Sequence, residues 1–437
     1  MPPPPPAPHP GAVRPNFRGR TRLILAGLAG ILAWWMIDRL LVDRRPIVVG
    51  IIHSLTGPDA PAEKPLLDAE IAALTELNAQ GGLLDRPIRW EVADGGSDPQ
   101  AFARQAARLI RDEGACVLVG CWGPGGRKAV VRVVEANDHL LVYPGRYEGL
   151  EQSANVVYTG PVPSQLLGPA VRWLREETGA GRFFLVGSDD LWGRAVGALA
   201  DDLLGGLGCT VAGRATVAGD DDIAAAVAAI VGARPDAVIS TLGWNDTAEF
   251  ARALRSVGMR PEATPLLALP CGTSQVPARE TLAGVYTAQV AGTGGPATPA
   301  PERPATEAGA GATSGIRLWA QAVRDADTTD VRQVRDAMRH QSIATPDGII
   351  AVDPGTQHTW HRTTVARIRP DGRLDAVTGG TGAALRPVPY PLTRSRAQWD
   401  QLTAALFRRW GGGWEPPQPP TGTLLPPSAP SAAGAPR

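Results

Sequence analysis

The stretch VLVGCWGPGGRKAVVRVVEANDHLLVYPGRYEG, residues 117–149, decides the fold. An apolar strand predicted over 116–120 runs into a glycine-rich turn, a helix is predicted from about Arg127, and a second apolar strand over 140–143 ends in another turn. Two strand ends therefore open onto one edge. In an open parallel sheet ligands sit in the crevice beyond the carboxyl ends of strands, so 122–126 and 143–147 are where function is sought first.

The same alternation extends upstream. Residues 47–52 form a continuous apolar strand ending at His53-Ser54, and 66–78 carries a helical stripe at Leu67, Ile71, Leu74 and Leu77. A strand over 88–92 ends at Asp94-Gly95-Gly96-Ser97-Asp98, and Pro99 starts a helix to Leu109. Downstream, helices over 165–177, 192–204, 223–231 and 247–257 alternate with strands over 182–187, 210–217, 236–241 and 265–269. This pattern predicts an α/β protein of two Rossmann-like, doubly wound lobes with a cleft between them.

Residues 293–313 are rich in Pro, Ala and Gly and read as a loop; helices over 315–324 and 331–340 and strands over 348–352 and 364–368 follow. The 391–415 segment reads as helical, with Trp399, Leu402, Leu406 and Trp410 at core or docking positions. Residues 416–437 are a proline-rich tail read as disordered, and 1–21 are a Pro- and Arg-rich leader read likewise. Between leader and first strand, 22–42 is read as an uncleaved membrane anchor, with a cleaved signal as the alternative. Its apolar core, 23–37, is about 15 residues and grows to about 20 if Asp38 and Arg39 lie at the interface.

The 437 residues are 43% hydrophobic, enough for sizeable cores, and carry 43 basic and 43 acidic side chains. No net field draws the chain to nucleic acid. Cys116, Cys121, Cys209 and Cys271 contain no CxxC pair; Cys209 and Cys271 could pair only with Cα atoms within about 7 Å. GCWGPGGRK fails the phosphate-loop pattern, because Gly126 follows Gly125 and no hydroxyl follows Lys128. No GxSxG or HExxH occurs. His358 and His361 in QHTWHR read as a surface loop, and no metal, cofactor or catalytic set is expected. Asp190 ends a buried strand, where it either caps the next helix or faces the cleft.

VGIIHSLTG (49–57), LNAQGGLLDRPI (77–88), VADGGSDP (92–99), LVGCWGPGGRKAV (118–130), LLVYPGRYEG (140–149), VVYTGPVPSQ (156–165), FLVGSDDLWGR (184–194) and DAVISTLGWNDTAEF (236–250) together resemble, in order, the substrate-binding proteins of ABC transporters. The resemblance is to the urea- and amide-binding branch of the branched-chain amino acid class. It implies a type 1 periplasmic binding fold, with one lobe from 46–160 and 285–345 and the other from 161–284 and 346–390. It implies an extracytoplasmic protein that closes on a small polar ligand and serves an ABC permease, with the 22–42 segment, read above as an anchor, tethering it. Ser54, Trp122, Tyr143, Asp190, Trp192 and Asn245, with the turn glycines Gly123 and Gly145, are the ligand-binding candidates. Gly123 and Gly145 stand where that branch usually supplies hydroxyls, and Asp190 where it places an aromatic. Aromatic walls with one carboxylate suit an amine or guanidinium at least as well as a neutral amide. The alternative is a membrane-anchored sensor or scaffold that keeps the fold with a degenerate pocket.

Overall fold

Strands buried on both faces need apolar side chains throughout, and Ile47–His53 (β1), Val117–Gly120 (β3), Leu141–Tyr143 (β4) and Val156–Tyr158 (β5) meet that demand. In the computed structural model, which describes residues 1–2, 45–270, 279–290, 307–345, 348–377 and 383–417, they join Ile88–Asp94 (β2) in a parallel sheet of order β2-β1-β3-β4-β5. Helices Ala60–Ala79 (α1) and Glu307–Ala326 (α8) cover one face, where Val49, Ile51, Leu74 and Trp319 are packed together. Pro99–Arg111 (α2) and Pro124–Ala136 (α3) cover the other, around Ile52, Phe102, Val130 and Tyr143.

The second lobe is a seven-stranded sheet. Arg182–Ser188 (β6), Thr210–Val217 (β7), Ala237–Ser240 (β8), Leu266–Ala268 (β9) and Tyr286–Val290 (β10) run parallel, and Thr363–Ile368 (β14) and Leu374–Ala376 (β15) add two antiparallel strands. Pro163–Thr178 (α4), Leu191–Gly206 (α5) and Trp399 of Arg396–Arg409 (α10) pack on one face. Asp220–Ala233 (α6) and Trp244–Ser256 (α7) pack on the other. A small sheet of Ser342–Thr345 (β11), Gly348–Val352 (β12) and Thr359–Trp360 (β13) follows Val331–Met338 (α9).

Several expectations need correction. The strand at Tyr286–Val290 lies in the second sheet, between β9 and β14, although the expected boundary drew it into the first lobe. α3 begins at Pro124 and not at Arg127, because a proline at the first helical position loses no hydrogen bond. The inward face of α1 is Glu63, Leu66, Glu70, Ala73, Leu74 and Leu77; Leu67 and Ile71 are only half-buried. The last part of the 293–313 segment is helix, from Glu307. His358 and His361 are buried, not on a surface loop. His358 lies between β12 and β13, directly before Thr359; it bridges to Tyr158, its ring stacked 4.2 Å from that tyrosine. The 1–21 leader beyond Pro2, the 22–42 segment, Cys271 and the tail past Pro417 lie outside the described residues. Among the described residues no helix is long and apolar enough to cross a membrane.

Candidate functional site

β1 leaves its sheet at His53, which is fully buried between two carboxylates of α1. Nδ1 donates to Glu63 Oε2 at 2.8 Å and Nε2 to Glu70 Oε2 at 3.0 Å. Burial alone would lower the imidazole pKa, but the Glu70 charge and hydrogen bonds to both carboxylates outweigh it and lift it to about 10. The two glutamates thus favour the protonated form of His53. Next to it, Gly120 has φ +124°, and a Cβ there would lie 2.3 Å from the Ile52 carbonyl and 3.0 Å from His53 Nε2. Only glycine lets β3 turn away at this point.

The loops beyond the strands are tied to one another. Asp94 accepts from the Leu55 and Gly96 amides and the Thr56 hydroxyl, at 2.7–2.8 Å. Ser54 Oγ accepts from the Ser97 amide at 3.1 Å, and Ser97 Oγ from the Asp59 amide at 3.0 Å. Tyr143, also buried, donates its hydroxyl to the Trp122 carbonyl at 2.8 Å. A side chain at Gly145 would strike that hydroxyl at 2.8 Å and the Trp122 ring at 3.2 Å. Ser54, Tyr143 and Gly145 therefore shape the edge from within, while Trp122 is half-buried on it. Gly123 caps α3, and behind it Arg127 is buried against Glu148 (2.5 Å) and Glu151 (3.2 Å), over the Tyr147 ring.

On the second lobe Asp190 is the N-cap of α5 and accepts from the Gly193 amide at 2.6 Å. Burial raises its pKa, opposed by hydrogen bonds from Gly193 and Ser188. Trp192 is buried, and its indole N–H donates to the Leu269 carbonyl at 3.0 Å. Asn245 is exposed on the first turn of α7.

Two side chains connect the edges. Arg146, from the turn after β4, donates to the Pro270 carbonyl at 2.8 Å and lies 5.9 Å from the Trp192 ring centre. Glu415, beyond α10, receives the Gly125 amide at the start of α3 and feels the charges of both Asp59 and Asp190. Five of the eight candidates thus share the first-lobe edge, and Asp190 and Trp192 the facing one. The sequence reading missed His53, Glu63, Glu70, Asp59, Arg146 and Glu415. A legible signal existed for the first three: Glu63 and Glu70 recur two turns apart on the apolar face of α1, where an unpaired carboxylate is rarely tolerated. Among the described residues no cluster of metal ligands occurs. What the edges offer is hydrogen bonding and charge, the means of holding a ligand.

Two open sheets whose strand ends face each other across a bridged cleft define a two-lobe binding protein. The chain belongs to the periplasmic binding protein domain family, whose model matches residues 47–291 and 300–396. Its relatives are substrate-binding proteins of ABC transporters, not enzymes. A Leu/Ile/Val-binding protein, BraC3 of Rhizobium johnstonii, is 31% identical over 98 residues, which are 22% of this chain and 26% of that protein; the match spans about a quarter of its length. The fold is similar to that of the branched-chain amino acid binding protein LivJ of Streptococcus pneumoniae in complex with isoleucine, with a TM-score of 0.65, 17% identity and coverage of 76% of this chain and 98% of that one. It is equally similar to a solute-binding protein of Rhodopseudomonas palustris BisB5 in complex with 3,4-dihydroxybenzoic acid, with a TM-score of 0.65, 19% identity and coverage of 79% and 98%.

Proposed function

We propose that the protein is the extracytoplasmic solute-binding component of an ABC transporter and holds a small polar solute bearing an amino group between its lobes. The observation that carries the reading is that carboxylates gather at the α3 turn: a Cβ on Gly123 would lie 3.3 Å from Glu415 Oε1 and 3.9 Å from Asp59 Oδ2, and the charge of Asp190, from the other lobe, also acts on Glu415. Burial raises the pKa of both aspartates, with Glu63 adding to the effect at Asp59. A cationic group entering between them relieves that cost. The relatives named above bind branched-chain amino acids or aromatic acids, which supports an amino acid over urea or a short amide. The hydroxyls of Ser54 and Tyr143, which an amide would need, already serve the loops. The N-terminal segment would keep the protein at the membrane, beside its permease.

The test is thermal unfolding of the full chain with isoleucine, putrescine, urea, acetamide and 4-hydroxybenzoate. A ligand at about 100 Kd stabilises the native state by about 2.7 kcal/mol, a rise of several degrees. An Asp190→Asn variant keeps the helix cap and loses the charge; it should weaken an amine-bearing ligand about tenfold or more and leave a neutral one unchanged. If none of the five raises the melting temperature, the binding reading fails. The second reading, a sensor or scaffold with its cleft filled by its own side chains, then gains, and the bridging by Arg146 and Glu415 favours it.

A further inference from the structure

α10 docks on the second lobe through Trp399, and its last turn, Leu406 with Trp410, packs on Leu191 at the start of α5. The chain then reverses through Gly411 (φ +70°) and Gly412 (φ +88°), whose amides close the helix end onto Arg408 and Phe407. The reversal sends Trp414 and Glu415 to the other lobe. Trp414 lies 4.7 Å from Phe407, ring to ring, and Lys128 of α3 sits 4.4 Å from its indole. Glu415 reaches the glycine turn itself. A Cβ on Gly123 would lie 3.3 Å from Glu415 Oε1 and one on Gly125 3.5 Å from it, so both glycines leave room for this carboxylate. At that position the Gly125 amide and the positive end of α3 receive a negative charge.

We infer that Trp414–Glu415 is a tethered occupant of the interlobe cleft, holding the α3 amides in place of a carboxylate-bearing solute, which must displace it to bind. The inference rests on the binding reading given above and adds an internal competitor to it. The strap is anchored at its root by the buried Trp399, Leu406 and Trp410, whereas at its tip Trp414 is half-buried and Glu415 is exposed apart from the Gly125 amide it receives. The tip is also opposed: burial raises the Glu415 pKa, the Asp59 and Asp190 charges raise it further, and the Gly125 amide offsets only part of this. Weak tip contacts beside a strong root are what a displaceable tether requires, since the effective concentration of a linked group is high even when each contact is small.

Hydrogen exchange and titration on the full chain test it, with Glu415→Ala, Glu415→Gln and Trp414→Ala. The first measurement needs no ligand: exchange of the amides over 123–127 should quicken about tenfold in Glu415→Ala and Trp414→Ala and less in Glu415→Gln. Unchanged exchange in all three overturns the occupancy. The second uses acetate and isoleucine as probes, and Glu415→Ala should bind them about tenfold more tightly than the wild-type chain. Equal or weaker binding overturns the competitor role. If neither protein binds either probe while exchange does quicken, the strap is a structural tie, and the competitor role falls together with the binding reading for carboxylates.

Discussion

His53 and His358 are both fully buried, yet their surroundings push them in opposite directions. For His358 burial is the leading cause: Nδ1 donates to the Thr356 carbonyl, Nε2 accepts from the Tyr147 hydroxyl, and the pKa falls to about 4. For His53 the two glutamates override burial. An unfolded histidine titrates near about 6.5. The His53 contribution to stability is therefore complete below about 6.5 and is lost as pH rises through about 10, whereas that of His358 is complete above about 6.5 and is lost as pH falls through about 4. Urea unfolding across the pH range should show His53→Gln flattening the alkaline decline and His358→Gln the acid one. At neutral pH His53→Gln should also cost about 3–5 kcal/mol, because it leaves two buried carboxylates without their cation. An alkaline limb identical in His53→Gln and the wild-type chain would show that the clamp does not hold a charged imidazole.

At the scale of elements, α8 shows why a composition-based reading fails. Its first turns, EAGAGATSG, look like loop because glycine costs about 1 kcal/mol per residue in a helix. The helix forms because those glycines are where it meets the first lobe. A Cβ on Gly311 would lie 2.5 Å from the Pro144 carbonyl, one on Gly315 would lie 2.6 Å from Val142, and the Thr159 hydroxyl donates to the Gly311 carbonyl at 2.9 Å. Gly311→Ala should thus destabilise the protein by about 1–3 kcal/mol in denaturant unfolding despite its better helix propensity. A stabilised variant would mean that the close approach does not exist. The strand ends of the first lobe were legible because parallel strands write themselves as apolar runs; α8 was not, since tertiary contact overrides local preference.

At the scale of the molecule, side chains of one lobe reach the other at its mouth. Arg146 is central to this, spanning from the β4 turn to Pro270 and the face of Trp192. Arg146→Ala should loosen the pair, seen in small-angle scattering as a larger radius of gyration with the melting temperature of each lobe's core little changed. An unchanged radius would mean that the strap, or the crossovers around His358, sets the spacing alone. The candidate site was legible only as an edge: Trp122, Gly123, Tyr143, Gly145, Asp190 and Trp192 all lie at or near strand ends. Which of them face outward was not, since Tyr143 and Trp192 turn their polar atoms onto backbone carbonyls.

The order of apolar strands, glycine turns and amphipathic helices determined two doubly wound lobes from sequence alone, because those patterns follow from backbone geometry and burial over a few residues. Placing β10 in the second sheet, Arg146 across the cleft and Glu415 at the α3 terminus was decided only in the folded chain. Each depends on contacts between residues more than 70 apart, and no local pattern records which distant carbonyl, amide or charge a side chain will meet.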